Sequence, residues 1–340
     1  MTDPIGTDLT VSVALCTHNG EHHIASQLDS ILGQTRIPDE VLIADDASQD
    51  KTAHLLATMA EAAARRTPPV KVEVRVNPTN LGFIANFQQV LARCRGDVIF
   101  LADQDDVWLP EKIATMLSPF REDPTVGLVY SDAALVGSDL QPLDRTLFGT
   151  RSAMNLARER RPDEVVRQLG INGCTMAVRR ELLAWILPIP ATWGHDHWIA
   201  FLAHALGRVR PVDRPLMLYR RHPGTAGNDP LLEGGEARVW AKGLAQSGLD
   251  AYAADLAKWR DMSRQLDRLA ALEDGAPTHT AELASYVREC RLRMEFAADR
   301  LEVKRIPRGR RLGPWLRLVK GGRHGRYLHG WRSLLKDLML

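Results

Sequence analysis

The sequence predicts an α/β fold built on a parallel sheet covered by helices on both faces, and three observations carry that reading. Short β-rich apolar runs alternate with helical patterns through the first half of the chain. The strand runs close on polar or acidic residues, at the carboxyl ends where open α/β sheets bind ligands. The composition, 45% apolar and 25% charged over 340 residues, is that of an ordinary globular protein with a sizeable core.

The elements follow in order. "LTVSVALCTHN" puts Val11, Val13 and Leu15 in a first strand, followed by a polar loop with Thr17, His18 and Asn19. "HIASQLDSILGQT" repeats Ile24, Leu28 and Ile31 at helical spacing. "EVLIADDAS" is a second strand closing on Asp45 and Asp46, "DKTAHLLATMAEAAARR" a helix, and "VKVEVRV" an alternating strand. "NFQQVLARCR" predicts a third helix and "DVIFLA" a buried strand that runs into "DQDD". "VGLVYSDAALV" follows as a strand pair or a strand and loop, then "GCTMAVRRELLAWI" as a strand leading into a helix. "HDHWIAFLAHALG" is a helix with Trp198, Leu202 and Leu206 on one side. From about 232 to 303 the pattern is helical, broken near "EDGAPT". The polar clusters after the first, second and "DVIFLA" strands are expected to line one crevice.

Asp103, Asp105 and Asp106 repel one another unless something positive lies against them. A strand-end DxD can share a divalent cation, and magnesium completes such a shell with phosphate and water. The alternative is that Asp105 and Asp106 cap the helix "WLPEKIATML", which accounts for one carboxylate and not three. Asp46 and Ser48 could likewise cap the helix that begins near Asp50. With no GxGxxG in "CTHNGEHH", a dinucleotide fold is not expected. The four cysteines form no CxxC pair, which suggests neither zinc nor a disulfide framework, and no apolar stretch is long enough to span a membrane.

Taken together, "VSVALCTHNGEHHIASQLDSILGQT", "VLIADDASQDKT", "NLGFIANFQQVLARCRGDVIFLADQDDVW" and "GHDHWIA" resemble family 2 glycosyltransferases of the GT-A fold, in the bacterial branch similar to rhamnosyltransferases of cell-surface polysaccharide synthesis. That resemblance covers residues 9 to 225. It implies a Rossmann-like mixed sheet flanked by helices, a sugar nucleotide donor (dTDP- or UDP-linked), a Mg2+ or Mn2+ ion, and inverting transfer to a glycan or lipid-linked acceptor. By position, Thr17, Asn19 and Asp45 would meet the nucleoside, with Asp46 beside them, and Asn80 and Asp103 would contact the nucleotide. Asp105 would be the principal metal ligand, and Asp106 a further ligand or a group orienting the donor sugar. His222 would touch metal or phosphate, and Arg220 or Arg221 would clamp a phosphate. Asn172 and Gly173 would lie near the donor sugar, where Gly173 lets the backbone approach and Cys174 packs as a small buried hydrophobe. Asp196 falls at the catalytic base, with helix capping as its alternative, and His195 and His197 would shape the surrounding loop. Trp193 could stack on an acceptor sugar, whereas Trp198 has the spacing of a core residue.

The expected organisation is a GT-A domain over 1–228, a helical extension over 229–303 and a basic amphipathic tail over 304–340. The tail holds eleven Lys or Arg against one acid, a net of +10, so with a total of +2 the remainder carries 2 − 10 = −8. Basic segments with interleaved Trp315, Tyr327 and Trp331 suit an anionic membrane surface; a solvated or oligomer-forming face and nucleic acid are the alternatives, and no nucleic-acid module precedes the tail. The expected location is the cytoplasm, at the inner face of the cell membrane. The rival functions are a nucleotidyltransferase, which lacks its triphosphate loop here, and an inactive glycan-binding or scaffold module.

Overall fold

Val11–Thr17 (β1), Glu40–Asp45 (β2), Lys71–Val76 (β3) and Val98–Ala102 (β4) pair in parallel in the order β3-β2-β1-β4. Helices Ile24–Leu32 (α1), Thr52–Ala64 (α2) and Phe83–Leu91 (α3) make the crossovers. The three inner strands read as near-continuous apolar runs because helices cover both faces, and Val13, Leu15, Ile43 and Phe100 are wholly buried. In α1, Ile24, Leu28 and Ile31 are all buried at their helical spacing. This computed structural model describes residues 9–150, 161–167, 171–222, 248–271 and 280–327.

Beyond β4 the sheet changes direction, a feature the strand and helix alternation does not predict. Met176–Arg179 (β8) pairs antiparallel with β4, Leu128–Val136 (β6) antiparallel with β8, and Val209–Arg220 (β9) parallel with β6. The short Val107–Trp108 (β5) closes the edge against β9, and Pro142–Thr146 (β7) hangs on β6. The sheet is therefore mixed rather than parallel throughout. That reversal matters for the site, because the start of antiparallel β8 and the end of β9 both reach the edge where β4 ends.

Neither capping alternative for the strand-end acids holds. Helix Lys112–Glu122 (α4) starts after β5 with Glu111 at its N-cap, so Asp105 and Asp106 stand outside it. Lys51 occupies the N-cap of α2, and Asp46 and Ser48 are bonded elsewhere.

Two units partition the chain: Met1–Glu159 with Gly170–His204 and Arg208–Pro223, and Arg160–Leu169 with Ala205–Gly207 and Gly224–Leu340. Within the second, helices Leu249–Ala270 and Thr280–Arg305 pack through Tyr252, Leu256, Trp259, Cys290 and Phe296. Arg293 and Arg300 lie over the Trp259 and Tyr252 rings at 4.9 and 4.6 Å, and Asp255 accepts two 3.0 Å bonds from Arg293. Several cations of the basic tail serve this unit: Lys304 and Arg311 are buried, and Arg326 donates to Glu289 at 2.8 Å. Leu312 and Leu316 of the helix Leu312–Lys320 stay exposed. Trp331, Arg332 and Lys336 lie outside the described residues. Among the described residues no helix is long and apolar enough to cross a membrane.

Candidate active site

The parallel register sets Thr17 beside Asp45 and Leu15 beside Ala102, so the loops leaving β1, β2 and β4 emerge together. Side chains tie them into one crevice. Gln104 Oε1 accepts the His18 N–H at 2.8 Å, and its amide donates back to the His18 carbonyl at 3.0 Å. Asp45 accepts from Thr17 Oγ1 at 2.7 Å and from the Ser48 N–H at 3.0 Å. Asn19, at φ 49°, accepts from Gln49 N–H at 2.8 Å. Buried Asp46 is wholly engaged, accepting from Asn77 Nδ2 at 2.9 Å and from the Leu81 and Gly82 N–H groups at 2.8 Å each. Gly82, at φ 83°, suits the turn because it has no Cβ to strain there. Asn80 is exposed and accepts the same Gly82 N–H at 3.0 Å. Replacing Asp46 with Ala leaves the Leu81 N–H without its acceptor and removes one of two acceptors from Asn77 Nδ2, which also donates to Asn86, and from the Gly82 N–H, and a loss of about 2 kcal/mol is expected in denaturant unfolding.

One acidic group stands out among the described residues: ligand atoms of Asp103, Asp106 and Cys174 all lie within 4.8 Å of one another. Burial, then repulsion from Asp105 and Asp196, pushes the Asp103 carboxyl up to about 7. Burial and the Asp105 and Asp103 charges hold Asp106 well above the usual carboxylate range. Asp106 Oδ1 accepts from the Arg220 N–H at 3.1 Å, whereas Oδ2 is buried and makes no hydrogen bond. Behind the group sits Lys112, wholly buried, donating to the Cys174 carbonyl at 2.7 Å and lying 4.3 Å from the Trp108 ring centre. Its ammonium offsets part of the carboxylate charge, and burial lowers it to about 8. Lys112 was not anticipated from sequence, because a lysine in an amphipathic helix ordinarily faces solvent.

The end of β9 supplies the other wall. His222 Nε2 lies 2.8 Å from Asp105 Oδ2. The Arg220 guanidinium is buried and donates to the backbone oxygens of Asp105 at 2.7 Å and Ser138 at 2.6 Å, so it holds the acidic loop in place. Arg221 lies over the Tyr219 ring at 5.9 Å. Asn172 and Gly173 lead into β8 at this same edge, and a Cβ on Gly173 would stand 2.6 Å from His195 Nε2. Gly173 thus admits the first turn of helix His195–Ala205 (α5).

That turn carries Asp196, whose Oδ1 accepts the His197 N–H at 2.7 Å. Its charge is felt by Asp103, which ties the candidate base to the acidic group. His195 is buried, stacked 3.9 Å from Phe87, and both its ring nitrogens lack hydrogen bonds. Burial lowers it to about 4, so it is neutral near pH 7. Trp193 and Trp198 are both core, 6.0 Å apart, which corrects the acceptor-stacking expectation for Trp193. Cys174 is the buried residue expected, but its thiol faces the carboxylates, and burial with their charge raises it well above the usual range.

Residues 12–184 match the family described as glycosyl transferase family 2, which is half of the chain. The chain belongs to that family. Its similarity to an uncharacterized glycosyltransferase of Nostoc sp. is 26% identity over 222 residues, 63% of this chain and 65% of the relative. It is 23% identical over 132 residues to WfgD of Escherichia coli, a UDP-Glc:α-D-GlcNAc-diphosphoundecaprenol β-1,3-glucosyltransferase, covering 39% of this chain and 49% of WfgD. The chain thus spans less than two thirds of these relatives. In fold it is similar to S. aureus TarS residues 1–349 in complex with UDP-GlcNAc, with a TM-score of 0.57, 16% identity, and coverage of 96% and 90% of the two chains. The fold of this family 2 glycosyltransferase is accordingly GT-A, with helices following it.

For such an enzyme the donor set suits a hard divalent cation. Two repelling carboxylates converge, and the buried Asp106 Oδ2 waits without a partner. The thiol is the one soft donor, out of place around Mg2+.

Proposed function

We propose that this chain transfers a sugar, with inversion, from a UDP- or dTDP-linked donor to a hydroxyl of a glycan or lipid-linked acceptor. The carrying observation is the buried Asp106 oxygen without a hydrogen-bond partner, beside the Asp103 and Cys174 ligand atoms. Asp103, Asp106 and Asp105 would hold a Mg2+ or Mn2+ ion, which when bound supplies the charge that offsets the leaving diphosphate. His222 fixes the Asp105 carboxylate, Arg220 fixes the loop that carries it, and Arg221 is assigned to the diphosphate. Thr17, Asn19, Asp45 and Asn80 line the nucleoside end, where Asp46 acts by holding the 77–82 loop. Asn172 and Gly173 lie under the donor sugar. Asp196 accepts the acceptor proton as the new oxygen–carbon bond forms and the anomeric carbon–oxygen bond to diphosphate breaks, a displacement that inverts the centre.

A rhamnose donor rests on the sequence resemblance alone. The lipid-linked acceptor is supported by the named substrate of WfgD, and a membrane-surface location by exposed Leu312 and Leu316 near exposed Arg317 and Lys320. A thermal-shift panel of nucleoside diphosphates and sugar nucleotides, with and without Mn2+, tests the reading. Stabilisation by UDP or dTDP compounds that needs metal and disappears in Asp105→Ala is expected. Folded protein that no nucleotide stabilises would sink the transferase reading.

A further inference from the structure

Seven large apolar side chains are exposed among the described residues, and three of them, Val76, Leu81 and Phe83, fall within eight consecutive positions. Scattered single residues of this kind need no account, but a group beside a site does. Phe83 is the most exposed at 61%, at the first position of α3. It is not a loose side chain on a loose loop. Asp46 pins the Leu81 and Gly82 N–H groups immediately before it, and its ring meets His195 edge-on at 6.0 Å. His195 in turn stacks on Phe87 and directly precedes Asp196. The tryptophans that could have served as a platform, Trp193 and Trp198, are in the core.

We propose that Phe83 is a specificity-determining platform on which the acceptor's sugar ring lies, apolar face to aromatic face, with its hydroxyl toward Asp196. This rests on the transferase reading of the site. A pyranose presents C–H groups on one face and hydroxyls at its rim, so it can cover an exposed aromatic ring without stranding polar groups. The rigid backing keeps the cost of ordering the platform low. Buried His195, whose ring nitrogens make no hydrogen bond, is a positioning residue that braces the ring from behind.

Saturation-transfer NMR with methyl glycosides of common hexoses and N-acetylhexosamines, in the presence of UDP and Mn2+, provides the test on the full chain. Wild type is expected to saturate the C–H protons of one sugar face. Phe83→Ala should weaken saccharide binding about tenfold, Phe83→Trp should retain it, and UDP affinity should stay within twofold in both. Equal saccharide binding in wild type and Phe83→Ala overturns the proposal. So does saccharide silence in a wild type that binds UDP, or Phe83-dependent binding of decyl phosphate without any saccharide contact. Loss of UDP binding in wild type would instead defeat the transferase reading itself.

Discussion

Asp196→Asn is expected to lower kcat by roughly 10²- to 10⁴-fold while leaving UDP affinity and the melting temperature near those of wild type. The substitution preserves shape, and an asparagine Oδ1 can still accept the His197 N–H that Asp196 Oδ1 holds at 2.7 Å. Only the ability to receive a proton is removed. The second Asp196 oxygen has the room to act, because the side chain is 26% exposed at the start of α5. Single-turnover transfer with saturating donor separates this chemical step from binding. Activity within a fewfold of wild type would exclude Asp196 as the base.

Asp106→Asn has the second large effect, with opposite signs for stability and function. The carboxylate is buried among like charges, so the metal-free protein should become more stable at pH 8, while metal-dependent stabilisation by UDP should be lost. Asp103 gives the same tension a pH dependence. Its folded-state value of about 7 lies above the unfolded value of about 3.9, so the folded protein holds the proton more tightly. That contribution is complete below the unfolded value and is lost as pH rises through 7, and the metal-free enzyme should melt lower at pH 8.5 than at pH 6 by this contribution. Saturating Mn2+ and UDP should offset the loss. Melting curves across pH, with chelator or with metal and nucleotide, check both signs.

Much of this site was legible because its residues sit at strand ends. An apolar run that closes on Thr17, Asp45 or Asp103 reports both the strand and the end at which the crevice forms, since the parallel register then brings those residues side by side. The antiparallel half was less legible. Strand–helix spacing describes crossovers and says nothing of β8 entering the sheet backwards, which is what carries Gly173 to Asp103. Lys112 was obscured for a related reason. A charged residue in an amphipathic helix is read as exposed, and only the tertiary fold reveals that Lys112 bonds a carbonyl behind the acids. Arg220 was expected to clamp a phosphate, whereas the structure shows its buried guanidinium on the Asp105 and Ser138 carbonyls. Phe83 drew no reading from the sequence, and only the fold shows it exposed directly after Gly82, at φ 83°.

The most direct test is a crystal structure of the protein grown with UDP and Mn2+, using the anomalous signal of manganese to place the ion. A single strong peak coordinated by the Asp103, Asp105 and Asp106 carboxylates, with the diphosphate against it and the uridine between Thr17 and Asn80, is the result predicted. Nucleotide bound elsewhere, or a peak away from these carboxylates, would contradict the assignment of this crevice as the donor site.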